Sequence, residues 1–188
     1  MNRLSFFMLS LFCWIQISAQ ESKTGIYRTE TGRVTFVSDA PLELISAESK
    51  ELKGAVDPEK LTFAFQLDVR SLKGFNSPLQ QEHFYENYIE SEKFPVATFS
   101  GKIIEKIDFK VPGMMPVRAK GILKIHGVEQ ERIIQVNLTV QDERFHIASE
   151  FIVPLADHDI SIPKLVYQKI AEEIKVTIEA DLFLKESR

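Results

Sequence analysis

The sequence predicts an all-β domain of antiparallel strands with one or two short helices. Three observations carry that prediction. Apolar and polar residues alternate with period two in five clear runs, the pattern of strands with one buried face. Turn-forming residues separate the runs at short intervals, at Asp57-Pro58, within 111–116, at His126-Gly127 and at Gln141-Asp142-Glu143. Only two stretches carry helical spacing, too few for the crossovers that a parallel sheet requires.

The chain of 188 residues suits one domain. Its first nineteen residues stand apart. Arg3 gives a short basic start, Leu4 to Ile17 form an apolar run, and small Ala19 precedes Gln20. This reads as a secretory signal peptide, residues 1–19, cleaved near Ala19-Gln20. The run is shorter than the ~20 residues of a transmembrane helix, so the mature chain is expected to carry no transmembrane anchor. Cys13, the only cysteine, lies inside this run. The remaining 169 residues therefore hold no disulfide, and one sizeable core must hold the domain 20–188 together. The expected location is periplasmic or secreted.

The net charge of −4 becomes about −5 once Arg3 is removed. Phosphate neutralisation needs a basic surface, so nucleic acid is excluded as a partner. No polybasic segment points to a membrane surface.

In chain order, short alternating stretches at 25–30, 33–38, 42–48 and 50–56 come first. The clearest strand follows, with Leu61, Phe63, Phe65, Leu67 and Val69 on one face. Ser77-Pro78-Leu79-Gln80 then opens a helix: Ser77 is placed to accept from the Gln80 backbone, Gln80 to reach back to Ser77, and Pro78 fits the first turn. At about 100° per residue Phe84, Tyr85 and Tyr88 share a stripe, with Leu79, His83, Glu86, Asn87 and Glu90 opposite. That puts His83 on an outward face, away from any walled site that would tune it for acid–base chemistry.

Pro95 restarts the chain as a strand through 95–107, with Ala97, Phe99, Gly101 and Ile103 inward. A hairpin follows, its arms carrying Val117, Ala119, Gly121, Leu123 and Ile125, then Ile134, Val136, Leu138 and Val140. Phe145, Ile147, Phe151 and Val153 mark the next strand, and Ile174, Val176, Ile178, Ala180, Leu182 and Leu184 the last. Between them, the spacing of Leu165, Lys169 and of Val166, Ile170 predicts one or two helical turns after Pro163. A closed barrel and a two-sheet sandwich both satisfy the alternation.

Chemical motifs are sparse. The sequence has no GxSxG elbow, P-loop or GxGxxG. Asp157-His158-Asp159 offers ligand types, but three adjacent residues do not converge on one ion in regular structure, and no HxH or HExxH accompanies them. No catalytic residue, metal site or cofactor is expected, and the protein is read as a non-enzyme. The inward set is rich in phenylalanine, and a barrel of about eight strands is either filled by its side chains or holds one slender ligand. Periodicity leaves both outcomes open.

Three runs resemble the YceI-like family: 81–103 with its histidine, aromatic pair and Phe-Pro; 119–140 with Ile125-His126-Gly127-Val128; and 151–182. The resemblance implies an exported, lipocalin-like antiparallel β-barrel that binds a polyisoprenoid or other long-chain lipid and catalyses nothing. Departures fall at Leu79-Gln80-Gln81, where many members carry a basic–acidic pair, and at His158, where many carry Tyr. On this reading Phe36, Phe63, Phe65, Phe99, Leu123, Phe145, Phe151 and Val176 line the lumen, and Phe84, Tyr88 and Tyr167 cover one end. The expected partner is an isoprenoid or other long-chain lipid, and a homodimer is compatible with the sequence. Two alternatives differ in class: a filled exported domain acting through a protein partner, and a metal or haem module built on its histidines.

Overall fold

The computed structural model describes residues 25–141 and 144–185. The signal-peptide reading, Cys13 and the centre of the predicted turn at 141–143 lie outside the described residues. Eight antiparallel strands form a closed barrel in sequence order: β1 (Ile26–Ala40), β2 (Glu43–Asp57), β3 (Thr62–Asp68), β4 (Val96–Ile103), β5 (Gly113–Ile125), β6 (Val128–Gln141), β7 (Arg144–Pro154) and β8 (Glu173–Lys185). β1 pairs with β8 as well as β2, with Phe36 opposite Val176 and Ala47. Closure thus pairs both edges, and it decides between barrel and sandwich.

The four short strands expected before residue 57 are two long ones. From Thr29 to Gly32 β1 advances three positions while β2 advances two, from Gly54 to Leu52. Over the next step β1 advances two positions, Gly32 to Val34, while β2 advances three, Leu52 to Ser49. Each strand therefore carries one extra residue, and each flips its inward parity there. Tyr27 and Thr29 are buried before the slip, Val34 and Ser38 after it. A bulge breaks the period without ending the strand.

The β5–β6 hairpin turns at His126 (φ 51°) and Gly127 (φ 75°). Two consecutive positive φ values are those of a type I′ turn, which favours glycine at its second position. A Cβ on Gly127 would also stand 2.4 Å from the Phe94 ring. β4 ends at Ile103, earlier than the predicted 95–107, and in the loop to β5 the side chains of Ile107 and Phe109 pack into the barrel end.

The segment after Pro163 forms only a 3-10 turn, Lys164–Val166, where one or two helical turns were expected. Its backbone serves the barrel rim instead. Leu42 N–H donates to the Gln168 carbonyl (2.9 Å), Leu155 N–H donates to the Glu172 carbonyl (2.9 Å), and Ala171 N–H donates to Ser38 Oγ (2.8 Å). Groups spent this way cannot continue a helical ladder.

The two barrel ends differ. At the end where β1 begins and β8 finishes, Tyr27 stacks on Phe145 with centroids 3.7 Å apart, and Phe109 lies 5.0 Å from Phe145. Leu182, Leu138 and Val140 complete a buried plug. At the other end the barrel is hollow.

Candidate functional site: an apolar lumen under a helix

A cavity of about 400 Å³ occupies the hollow end. Its walls are alternate residues of the strands: Val34 and Phe36 from β1, Leu67 from β3, Leu123 from β5, Val176 and Ile178 from β8. The inward rings of Phe36, Phe65, Phe99 and Phe151 border this space and are only partly buried. Polar groups gather at the mouth, where Glu43, Ser77, Gln80, His83 and Lys169 border it. This arrangement suits a ligand with a long apolar body and a small polar end.

The cover over the mouth is built from the run at 77–94. Ser77 Oγ accepts from Gln80 N–H (3.1 Å), and Pro78 starts α1 (Pro78–His83) as its sequence predicts. The return bond is shifted by one residue: Gln80 Oε1 accepts from Asn76 N–H (3.0 Å), while Gln80 Nε2 donates to Glu43 Oε1 (2.8 Å) across the mouth. The helix then widens into a π turn, Phe84–Tyr88, in which Ile89 N–H donates to the Phe84 carbonyl five residues back (2.9 Å). A π turn advances each residue by less than the α-helical angle, so the predicted stripes lose phase. Leu79 and His83 therefore edge the cavity mouth beside Phe84 and Tyr88, and Tyr85 leaves the stripe.

Tyr85 anchors the cover instead. Its hydroxyl donates to the Leu72 carbonyl (2.7 Å) and accepts from Gln81 Nε2 (2.8 Å) and Lys73 Nζ (3.1 Å). The Phe84 ring reaches inward and packs on Phe36 (5.4 Å) and Phe75 (5.0 Å). Burial pushes the Tyr88 phenol above its ordinary range.

The end of the cover is clasped to the β5–β6 turn. His126 Nδ1–H donates to the His158 carbonyl (3.0 Å), and its Nε2 lies 2.9 Å from Glu90 Oε2. The Glu90 carboxyl is held below its usual range by the hydrogen bond from Lys93, then that of His126. His158 is fully buried beside the β5–β6 turn, with Nδ1–H donating to the Val128 carbonyl (3.3 Å). Its Nε2 has no partner among the described residues. Burial pushes this imidazole down, against the pull of the Val128 carbonyl. Asp157 pairs with Arg132, and Asp159 takes a left-handed conformation. The three residues of the Asp-His-Asp run thus diverge, and among the described residues no three His, Cys, Asp or Glu side chains form a metal-binding group.

Of the residues expected in the lumen, Phe36, Phe65, Phe99, Leu123, Phe151 and Val176 border the cavity. Phe63 and Phe145 do not. They lie deeper, 6% and 1% exposed, beside a second void of about 80 Å³. Parity sets which face a side chain takes and carries no information on depth along the barrel axis. Of the expected cover, Phe84 and Tyr88 border the cavity, whereas Tyr167 is 63% exposed and does not. Without the predicted helix, Val166, Lys169 and Ile170 turn to the mouth in its place. Sequence reasoning missed Leu52, hidden by the parity flip in β2, and Phe75, which sits in irregular chain where no period applies. Val34 and Ile178 were within reach, sharing parity with Phe36 and Val176.

No match is found among curated proteins. Solved structures share the fold. A polyisoprenoid binding domain from Saccharophagus degradans, implicated in plant cell wall breakdown, superposes with TM-score 0.73 at 17% identity, covering 87% of this chain and all of that one. Burkholderia cenocepacia BcnA gives 0.65 at 14% identity, over 80% of this chain and 95% of its own. The Campylobacter jejuni YceI protein gives 0.55 at 16% identity, over 98% and 94%. The sequence model of the YceI-like domain matches residues 18–182, most of the chain, and the protein belongs to that family.

Proposed function

We propose that the protein is an exported, non-catalytic carrier that holds one long apolar lipid chain in its barrel. The observation that carries this reading is the apolar cavity of about 400 Å³, open at a mouth ringed by polar groups. Burial of each methylene contributes about 0.8 kcal/mol, so a chain with no charge at all gains substantial affinity there. The cover over the mouth shields the bound chain from water, and its hydrogen bonds to Leu72, Lys73 and His126 hold it on the barrel rim. The similar domain from Saccharophagus degradans, described as polyisoprenoid binding, supports the lipid class. The apolar leader ending at Ala19 supports export.

Calorimetric titration of the delipidated protein with farnesol and with hexadecanoic acid tests the reading. Uptake with a negative heat-capacity change is expected, the mark of apolar burial. Failure to take up either compound contradicts it.

A further inference from the structure

The main cavity and the deeper void share four lining residues, Phe65, Phe99, Phe151 and Ile178. These side chains therefore stand between the two spaces. Phe65 and Phe99 face each other across β3 and β4, while Phe151 comes from β7, on the opposite wall of an eight-strand barrel. We propose that Phe65, Phe99 and Phe151 form a collar that stops an inserted chain and sets its length. The proposal rests on the carrier reading and adds to it a selection by chain length.

The collar is backed rather than loose. Phe63, buried behind it, packs 4.8 Å from the Phe99 ring and 6.3 Å from that of Phe65. Phe65 is held from the other side, because its ring covers the backbone of Gly54. Beyond Phe63 lies the Tyr27–Phe145 stack, and the void of about 80 Å³ between them is too small to take a displaced ring.

Volume sets the stop. An apolar cavity of roughly 150 Å³ takes up a benzene ring. Scaled from that, about 400 Å³ accommodates about sixteen carbons. The void beyond the collar, about 80 Å³, is too small for one ring. The collar thus matches the lumen to three isoprene units or to an acyl chain of similar length. Longer chains enter to the same depth and leave their remainder at the mouth, beside Leu79 and His83.

The test is a displacement series with straight-chain carboxylic acids of ten to twenty-two carbons, each below its micelle concentration. For the delipidated wild-type protein, affinity should rise about two- to fourfold per methylene and flatten near sixteen carbons. In Phe99→Ala and in the milder Phe151→Leu the two voids merge, and the break should move to longer chains. The twenty-carbon acid should gain at least tenfold over the sixteen-carbon acid relative to wild type. Circular dichroism and melting identify any variant that fails to fold, and the wild-type break stands as a test without either variant. An unbroken rise from sixteen to twenty-two carbons in wild type overturns the collar, as does an unmoved break in folded variants. Absence of binding at every length contradicts the carrier reading itself. Binding with no break contradicts only the collar.

Discussion

Gly54 and Phe65 are Cα partners across β2 and β3, and a Cβ built on Gly54 would stand 2.0 Å from a carbon of the Phe65 ring. The glycine is the seat of the ring. Alanine ordinarily stabilises a strand position relative to glycine by about 0.5–1 kcal/mol, but here the added methyl must displace an aromatic side chain. Overpacking of this kind costs about 1–3 kcal/mol, so Gly54→Ala should lower the urea midpoint despite its better strand propensity. It should also weaken uptake of long acids, because the displaced ring is pushed toward the lumen it borders.

The packed and hollow ends should respond differently to truncation. Phe145 is 1% exposed and stacked on Tyr27, so Phe145→Ala leaves a cavity the plug cannot close and should cost about 3–5 kcal/mol. Phe151 already borders open space, and Phe151→Ala should cost less than about 2 kcal/mol. Equilibrium denaturation of the two variants measures the contrast, and equal losses would show that the lumen is as tightly filled as the plug.

Tyr85→Phe removes the hydroxyl through which the cover is tied to the Leu72 carbonyl, Gln81 and Lys73. Net hydrogen-bond contributions run to about 1 kcal/mol each. The variant should melt within a few degrees of wild type and release bound lipid several-fold faster in a stopped-flow transfer assay. His83→Ala, by contrast, removes a side chain at the mouth that makes no side-chain hydrogen bond among the described residues, and lipid retention should stay within a few-fold of wild type.

His158 gives the fold a dependence on pH. Its imidazole is held neutral by burial in the folded chain, while in the unfolded chain it titrates near its ordinary value of 6.5. Below that value the unfolded state binds the extra proton, so stability should fall as pH drops from 7 through the depressed folded value, and this contribution should level off beneath it. His158→Gln keeps a donor for the Val128 carbonyl and should flatten the melting temperature between pH 7 and 5. The lowered carboxyls of Asp57, held chiefly by the Lys60 backbone N–H, and of Glu90 and Glu105 act in a separate window, below their ordinary values near 4. A melting curve equally steep in wild type and His158→Gln would contradict the assignment.

The strands from Thr62 onward were legible because period two survives wherever no bulge intervenes, as in Phe63-Phe65-Leu67 and Ile174-Val176-Ile178. The N-terminal pair was misread as four strands because extra residues in β1 and β2 flip the inward parity near Gly32 and Ser49. Ser77 and Pro78 announced α1 through local chemistry. The π turn that follows is set by tertiary packing of Phe84 on Phe36 and Phe75, and a helical wheel at fixed angle could not foresee it. Tyr167 failed for a similar reason, since Ala171 N–H and the Gln168 carbonyl are claimed by Ser38 and Leu42 on the distant β1–β2 corner. Depth along the axis, which separates Phe145 from Phe151, is a property of the closed barrel and of no single strand.

The export reading has its own check: intact-mass measurement of the protein from a bacterial periplasm should give a chain beginning at Gln20, and a retained leader would contradict cleavage after Ala19.

The central claim is that the lumen carries a lipid chain. Native mass spectrometry of the protein, purified without detergent from cells that export it, tests this most directly. The account predicts a bound population whose added mass leaves on solvent extraction as an apolar lipid, and whose lumen refills when farnesol or hexadecanoic acid is supplied. Protein that purifies at its bare polypeptide mass and takes up neither compound would contradict it.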